Sequence, residues 1–199
     1  MKSSIDYKKL SDEELIKEFQ KEDTDAFKEL VNRYKDKLVN FLYRFTGNRE
    51  SAEDISQEAF LKLYKNKDRY IEISKFSTWF YTIAINEAKT NYRREKKHAA
   101  VSINDFYRDE HEDYQIKSGD RIADEITDSE IESAIIQKAI NSLGKDHREV
   151  IILRDIEGFE YEEISEILKI PTGTVRSRIN RAREFLKISL RKLYNSKKT

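Results

Sequence analysis

The chain has 199 residues and no net formal charge, and it lacks cysteine, which excludes a disulfide framework, a zinc–thiolate centre and a thiol nucleophile. Charged residues reach 38%, yet 11 Tyr, 10 Phe and regularly spaced Ile and Leu supply apolar surface for a core. One Pro and five Gly let helices run long, and strand runs rich in Val and Thr are missing, so an all-α chain of two small domains is expected.

Ser11-Asp-Glu-Glu14 has capping-box spacing and opens a short helix carrying Leu15, Ile16 and Phe19. From about Thr24 the residues Ala26, Phe27, Leu30, Val31, Tyr34, Leu38, Phe41, Leu42 and Phe45 recur at helical spacing until Gly47 supplies a stop. Ser51-Ala-Glu-Asp54 is predicted to cap a third helix, with Ala52, Ile55, Ala59, Phe60 and Leu63 on one face and Asp54, Gln57 and Glu58 off it. A loop over 66–76 precedes a fourth helix over about 77–97. That helix is apolar through Ala88 and then turns basic, with Lys89, Arg93, Arg94, Lys96 and Lys97.

Apolar periodicity fails from His98 to about Thr127, which predicts an acidic linker between the two domains. Between Asn104 and Glu132 eleven acids face three basic residues. Beyond it, one helix from about Ser129 is predicted to end at Gly144, and another carries Val150, Ile151, Ile152 and Leu153 and ends near Gly158. The segment Tyr161–Leu168, a turn with Pro171 and Gly173, and the stretch from Thr174 to Arg183 then have the pattern of helix, turn, helix.

From Pro171 to Thr199, nine Lys and Arg stand against Glu184 alone, and such a basic segment calls for a polyanion. Val175, Ile179 and Ala182 form an inner stripe on the last helix. Thr174, Arg176, Ser177, Asn180, Arg181 and Arg183 are left outward or flanking, where they supply donors to phosphates and forks to guanine edges. A plain solvated helix would interleave acids at i, i+4, and here only Glu184 does so. His98, His111 and His147 share no ligand spacing, and there is no Gly-rich phosphate loop, so no metal, cofactor or enzymatic activity is expected. No stretch approaches eighteen apolar residues, and a cytoplasmic protein without membrane insertion is expected.

Three motifs in order carry a resemblance over nearly the whole chain. They are Asp54-Ile-Ser-Gln-Glu-Ala-Phe-Leu-Lys-Leu-Tyr64, Phe76-Ser-Thr-Trp-Phe-Tyr-Thr-Ile-Ala-Ile-Asn-Glu-Ala-Lys89, and Asp146-His-Arg-Glu-Val-Ile-Ile-Leu-Arg-Asp-Ile-Glu-Gly158 running into Pro171-Thr-Gly-Thr-Val-Arg-Ser-Arg-Ile-Asn-Arg-Ala-Arg183. The sequence resembles an extracytoplasmic-function (ECF) sigma factor of the sigma-70 family. The resemblance implies a region 2 bundle over 1–97, a linker over 98–128 and a region 4 helix-turn-helix over 129–199. It further implies that RNA polymerase core docks at Asp54, Gln57 and Glu58, and that the −35 promoter element is read as duplex by the last helix.

The −10 element would be held as melted strand by Tyr70, Trp79 and Asn86, with Arg93 and Arg94 on phosphates, since an extruded base needs a π surface and its edge needs polar partners. Ile71-Glu-Ile-Ser74 departs from the small, polar, Gly-containing stretch common in this loop of the family. An anti-sigma partner is also implied, and no homo-oligomer is required. The rival reading is an autonomous helix-turn-helix regulator, which would need a self-association surface and a palindromic site.

Overall fold

The computed structural model describes residues 5–102 and 128–196, with side chains described over 5–94 and 132–195. Most of the acidic segment, and the side chains of Lys96 and Lys97, lie outside the described residues. Among the described residues there are eight α-helices and no strand, arranged as two compact units, one carried by the helices up to Arg94 and one by those after the acidic segment.

In the first unit a 3₁₀ turn over Tyr7–Lys9 leads into α1 (Asp12–Gln20), α2 (Thr24–Thr46), α3 (Arg49–Asn66) and α4 (Phe76–Ser102). The expected capping box opens α1, with the Glu14 N–H donating to Ser11 Oγ and the Ser11 N–H to the Glu14 carboxylate. Gly47 closes α2 in the left-handed region at φ 74°, where a side chain would strain the backbone, and its N–H donates to the Tyr43 carbonyl at 2.7 Å.

The start of α3 corrects the sequence reading. Asn48, extended at φ −127°, is the cap, and its Oδ1 accepts the N–H of Ser51 at 2.8 Å. Ser51 sits inside the first turn, since Asn and Ser are near-equal caps and the pattern alone does not rank them. α4 begins at Phe76, whose N–H donates to the Glu13 carboxylate at 2.9 Å, and it runs to Ser102, past the expected end at 97.

The core of this unit is one apolar stripe from each helix. Leu15, Ile16 and Phe19, then Leu30, Leu38, Phe41 and Leu42, then Ala59 and Leu63, then Phe76, Phe80 and Ile85 are all fully buried. Each large side chain so placed stabilises the fold by about 1.5–3 kcal/mol relative to exposure. α2 packs along α3 and α1 lies on α2.

The second unit comprises α5 (Asp128–Asn141), α6 (Lys145–Ile151) continuing as a π-helical turn over Ile152–Ile156, α7 (Tyr161–Leu168) and α8 (Thr172–Ser196). Gly144 opens α6 rather than closing α5, with φ −57° and ψ 149°. Gly158 is the true left-handed stop, at φ 78°. α5 and α6 both pack on α8, where Leu143, Ile151 and Ala182 form a buried cluster joined by Leu186. α8 is longer than expected, because the candidate recognition segment and most of the basic tail form one continuous helix.

The two candidate caps of α3 make separable predictions. Asn48→Ala is expected to destabilise the protein by about 1 kcal/mol, and Ser51→Ala by less than about 0.5 kcal/mol, in denaturant unfolding. The reverse order would return the cap to Ser51.

Candidate nucleic-acid interface

The helix-turn-helix is held by short-range bonds. The Glu160 N–H donates to the Glu163 carboxylate at 2.8 Å at the start of α7. After α7, Lys169 takes the left-handed conformation at φ 57°, the Ile170 N–H donates to the Ser165 carbonyl at 3.2 Å and Ser165 Oγ donates back to the Ile170 carbonyl at 2.6 Å. The Pro171 carbonyl accepts from the N–H groups of Thr174 and Val175, so α8 starts at the turn itself. Val175, Ile179 and Ala182 are fully buried.

The stripe they form fixes what the rest of α8 presents. Arg176, Ser177, Asn180, Arg181 and Arg183 are exposed and Thr174 is half-buried. The arginines differ in their surroundings. Arg183 forks onto Asp155 of the π turn through Nε at 3.0 Å and Nη2 at 2.5 Å, a contact that raises its pKa further. Arg178, which the sequence reading did not single out, pairs with Asp146 at 2.6 Å.

In the first unit, Trp79, Asn86 and Arg93 follow one another at seven-residue spacing, so they share one face of α4, with about 10 Å between successive members. Trp79 is half-buried, while Asn86, Arg93 and Arg94 are exposed. Tyr70 is placed otherwise than an open stacking platform requires, at 5% exposure. Its ring lies 5.4 Å from Trp79 and 6.0 Å from Phe76, and its hydroxyl donates to the Ser74 carbonyl at 3.0 Å. Burial, then the charges of Glu13 and Glu72, push its pKa up to about 12, so the hydroxyl stays a donor at neutral pH.

The loop is braced from α1 as well. Gln20 Nε2 donates to the carbonyls of Lys67 at 2.8 Å and Tyr70 at 3.0 Å, and Lys17 pairs with Glu72. At the tip a tight turn, with the Ile73 N–H donating to the Ile71 carbonyl at 2.7 Å, leaves Ile71 69% and Ile73 88% exposed.

On α3, Asp54, Gln57 and Glu58 are exposed, and no side-chain hydrogen bond or ion pair engages them among the described residues. The neighbouring Glu53, by contrast, accepts from Arg49 at 2.9 Å. Leu61, 49% exposed, continues the same face one turn on, a residue that sequence reasoning missed. The available signal was its position at i+7 from Asp54, off the apolar stripe. The described residues contain no metal-holding group of His, Asp or Glu and no helix long and apolar enough to cross a membrane.

Comparison with known proteins matches both parts of the chain to one family. The family model for Sigma-70 region 2 matches residues 30–98 and that for Sigma-70, region 4 matches 133–186. The chain is 38% identical over 187 residues to the ECF RNA polymerase sigma factor SigW of Bacillus subtilis, covering 89% of this chain and 96% of that one. It is also 38% identical to the ECF RNA polymerase sigma-E factor of Escherichia coli K12, over 88% of this chain and 92% of that one. Among solved structures, the sigma factor RpoE in complex with the anti-sigma factor NepR from Bartonella quintana matches with TM-score 0.66 and 27% identity, over 83% of this chain and 96% of that one. CnrH, solved with the cytosolic domain of CnrY, shares the fold at TM-score 0.67 and 23% identity, over 90% of this chain and 96% of that one. With both sigma-70 regions matched in order and curated relatives aligned over most of its length, the chain belongs to the sigma-70 family as an RNA polymerase sigma factor of ECF type.

Proposed function

We propose that this chain directs core RNA polymerase to promoters in the cytoplasm by binding alone, without catalysis or a cofactor, with residues 1–97 acting as region 2, 98–128 as linker and 129–199 as region 4. The observation that carries the reading is α8, a single helix whose buried stripe leaves Arg176, Ser177, Asn180 and Arg181 together on the surface. A helix of that character fits the major groove of the −35 duplex, where arginine forks match guanine edges and other cations meet phosphates. Each region alone offers little contact area, so polymerase core supplies the linkage that makes promoter binding tight. The autonomous regulator predicts tight duplex binding without core, and a mobility-shift titration with and without core separates the two.

Core docks on α3 in this reading, through Asp54, Gln57 and Glu58, whose unengaged carboxylates and amide suit a basic helical partner, with Leu61 adding apolar contact. Asp54→Ala combined with Gln57→Ala is expected to weaken core binding roughly tenfold, about 1.4 kcal/mol, with the helical circular dichroism unchanged. Co-purification with core as tight as wild type would remove the docking assignment. An anti-sigma factor, such as the one bound to RpoE of Bartonella quintana, is proposed as a further partner.

The −10 strand would run along the α4 face of Trp79, Asn86, Arg93 and Arg94. Every base has a π face, so stacking does not discriminate, and selection falls to Asn86 and the loop backbone. Tyr70 acts here as the brace that holds the loop in shape. Tyr70→Ala is therefore expected to lower open-complex formation on all promoters by a similar factor, whereas Asn86→Ala changes which −10 base is preferred. A randomised-promoter transcription assay reads both, and an unchanged base preference in Asn86→Ala would sink that role.

Arg176 and Arg181 should differ in kind if one reads a base and the other a phosphate. The base reader relaxes specificity at one −35 position at a loss of about 1–3 kcal/mol, while the phosphate contact weakens all sequences alike and reduces the salt slope by about one. Equal, salt-insensitive effects of the two alanine variants would count against groove docking.

A further inference from the structure

Arg176 has a ring beside it where Arg178 and Arg183 of α8 have acids. Its guanidinium carbon lies 5.8 Å from the centre of the Tyr161 ring, at the first position of α7. The same ring meets Arg154, at 5.1 Å, and Arg154 is itself fixed by donating to the Phe159 carbonyl and to Glu160, both at 2.8 Å. Arg183, by contrast, closes its fork on Asp155. Tyr161 thus lies beside two arginines, of which Arg154 has a carboxylate partner and Arg176 has none among the described residues.

A guanidinium resting on an aromatic face keeps its in-plane N–H donors free, since the ring occupies the face and not the edges. An acid partner does the opposite and consumes the fork. Bidentate recognition of a guanine edge requires both a free fork and a fixed plane, and a long exposed side chain lacks the second unless something restricts it.

We propose that Tyr161 is a positioning residue for promoter reading. Its ring sets the plane of the Arg176 guanidinium, which makes Arg176 the base reader of α8 and leaves Arg181, which no ion pair or ring contact engages among the described residues, to the phosphate backbone. The proposal rests on the reading of α8 as the −35 helix.

The test uses the full chain bound to core polymerase and a set of promoters that differ singly at each −35 position, at fixed salt. Tyr161→Leu and Tyr161→Gln are expected to lose about two- to fivefold on the preferred sequence, the strength of an exposed cation–π contact, and to flatten discrimination at the same position as Arg176→Ala. Tyr161→Phe keeps the ring and stays within about twofold of wild type. In the Arg176→Ala background, Tyr161→Leu should add no further loss of discrimination. The idea fails if Tyr161→Leu, folded by circular dichroism, reads every −35 variant as wild type does, or if its loss spreads evenly over all positions. Arg176→Lys leaves Tyr161 intact and so tests the same point should both truncations unfold: it keeps the charge without the plane, and full discrimination in that variant overturns the proposal. If Arg176→Ala itself discriminates normally, the groove-reading role of Arg176 falls first and takes the positioning role with it.

Discussion

Phe76 is the contact on which the first unit turns. It is fully buried, its ring lies 5.5 Å from Tyr34 of α2, 5.7 Å from Phe80 and 6.2 Å from Trp79, and its backbone N–H is capped by Glu13 of α1. One residue therefore joins α1, α2 and the start of α4, and Tyr70 adds the loop at 6.0 Å. The consequence for function is directional. Once Phe76 and Phe80 are driven inward, helical geometry leaves Trp79 at the edge of the core and Asn86 and Arg93 beyond it on the same face. The candidate DNA face of α4 is thus the by-product of where its aromatic end must be buried.

The second unit obeys a similar constraint with charge in place of aromatics. α8 must bury Val175, Ile179 and Ala182, so its arginines are confined to the remaining surface and crowd one another. Asp146 and Asp155, supplied by α6 and the π turn, each engage one arginine. Exposed ion pairs of this kind add little stability, with a median of about 0–1 kcal/mol, so their greater effect is to sort which guanidiniums remain open to a polyanion.

Much of this was legible in the chain itself, and the reason is locality. The capping box at Ser11, the stop at Gly47 and the buried stripe of α8 are each set within one or two helical turns, where spacing carries the information. The misses come from competition and from distance. Asn48 and Ser51 are both good caps, Gly144 serves a start as readily as a stop, and the sign of its φ is not written in its neighbours. Arg183 with Asp155 lies 28 residues apart and Gln20 with Tyr70 lies 50 apart, separations at which no periodicity speaks. Tyr70 shows the limit most clearly. Its residue type suits a stacking platform, yet the hydrogen bond to Ser74 and the rings of Phe76 and Trp79 turn it inward.

The loop that Tyr70 braces holds Ile71 and Ile73 out in water. Their hydration gives the loop a thermal character unlike that of the charged surfaces around it. Covering such side chains releases ordered water and lowers the heat capacity of the complex, so the association grows stronger on warming over the range where apolar burial is entropic. The phosphate contacts proposed for Arg93 and Arg94 would respond to ionic strength instead. A surface that joins the two can be dissected by calorimetry, since temperature addresses the isoleucines and salt addresses the arginines.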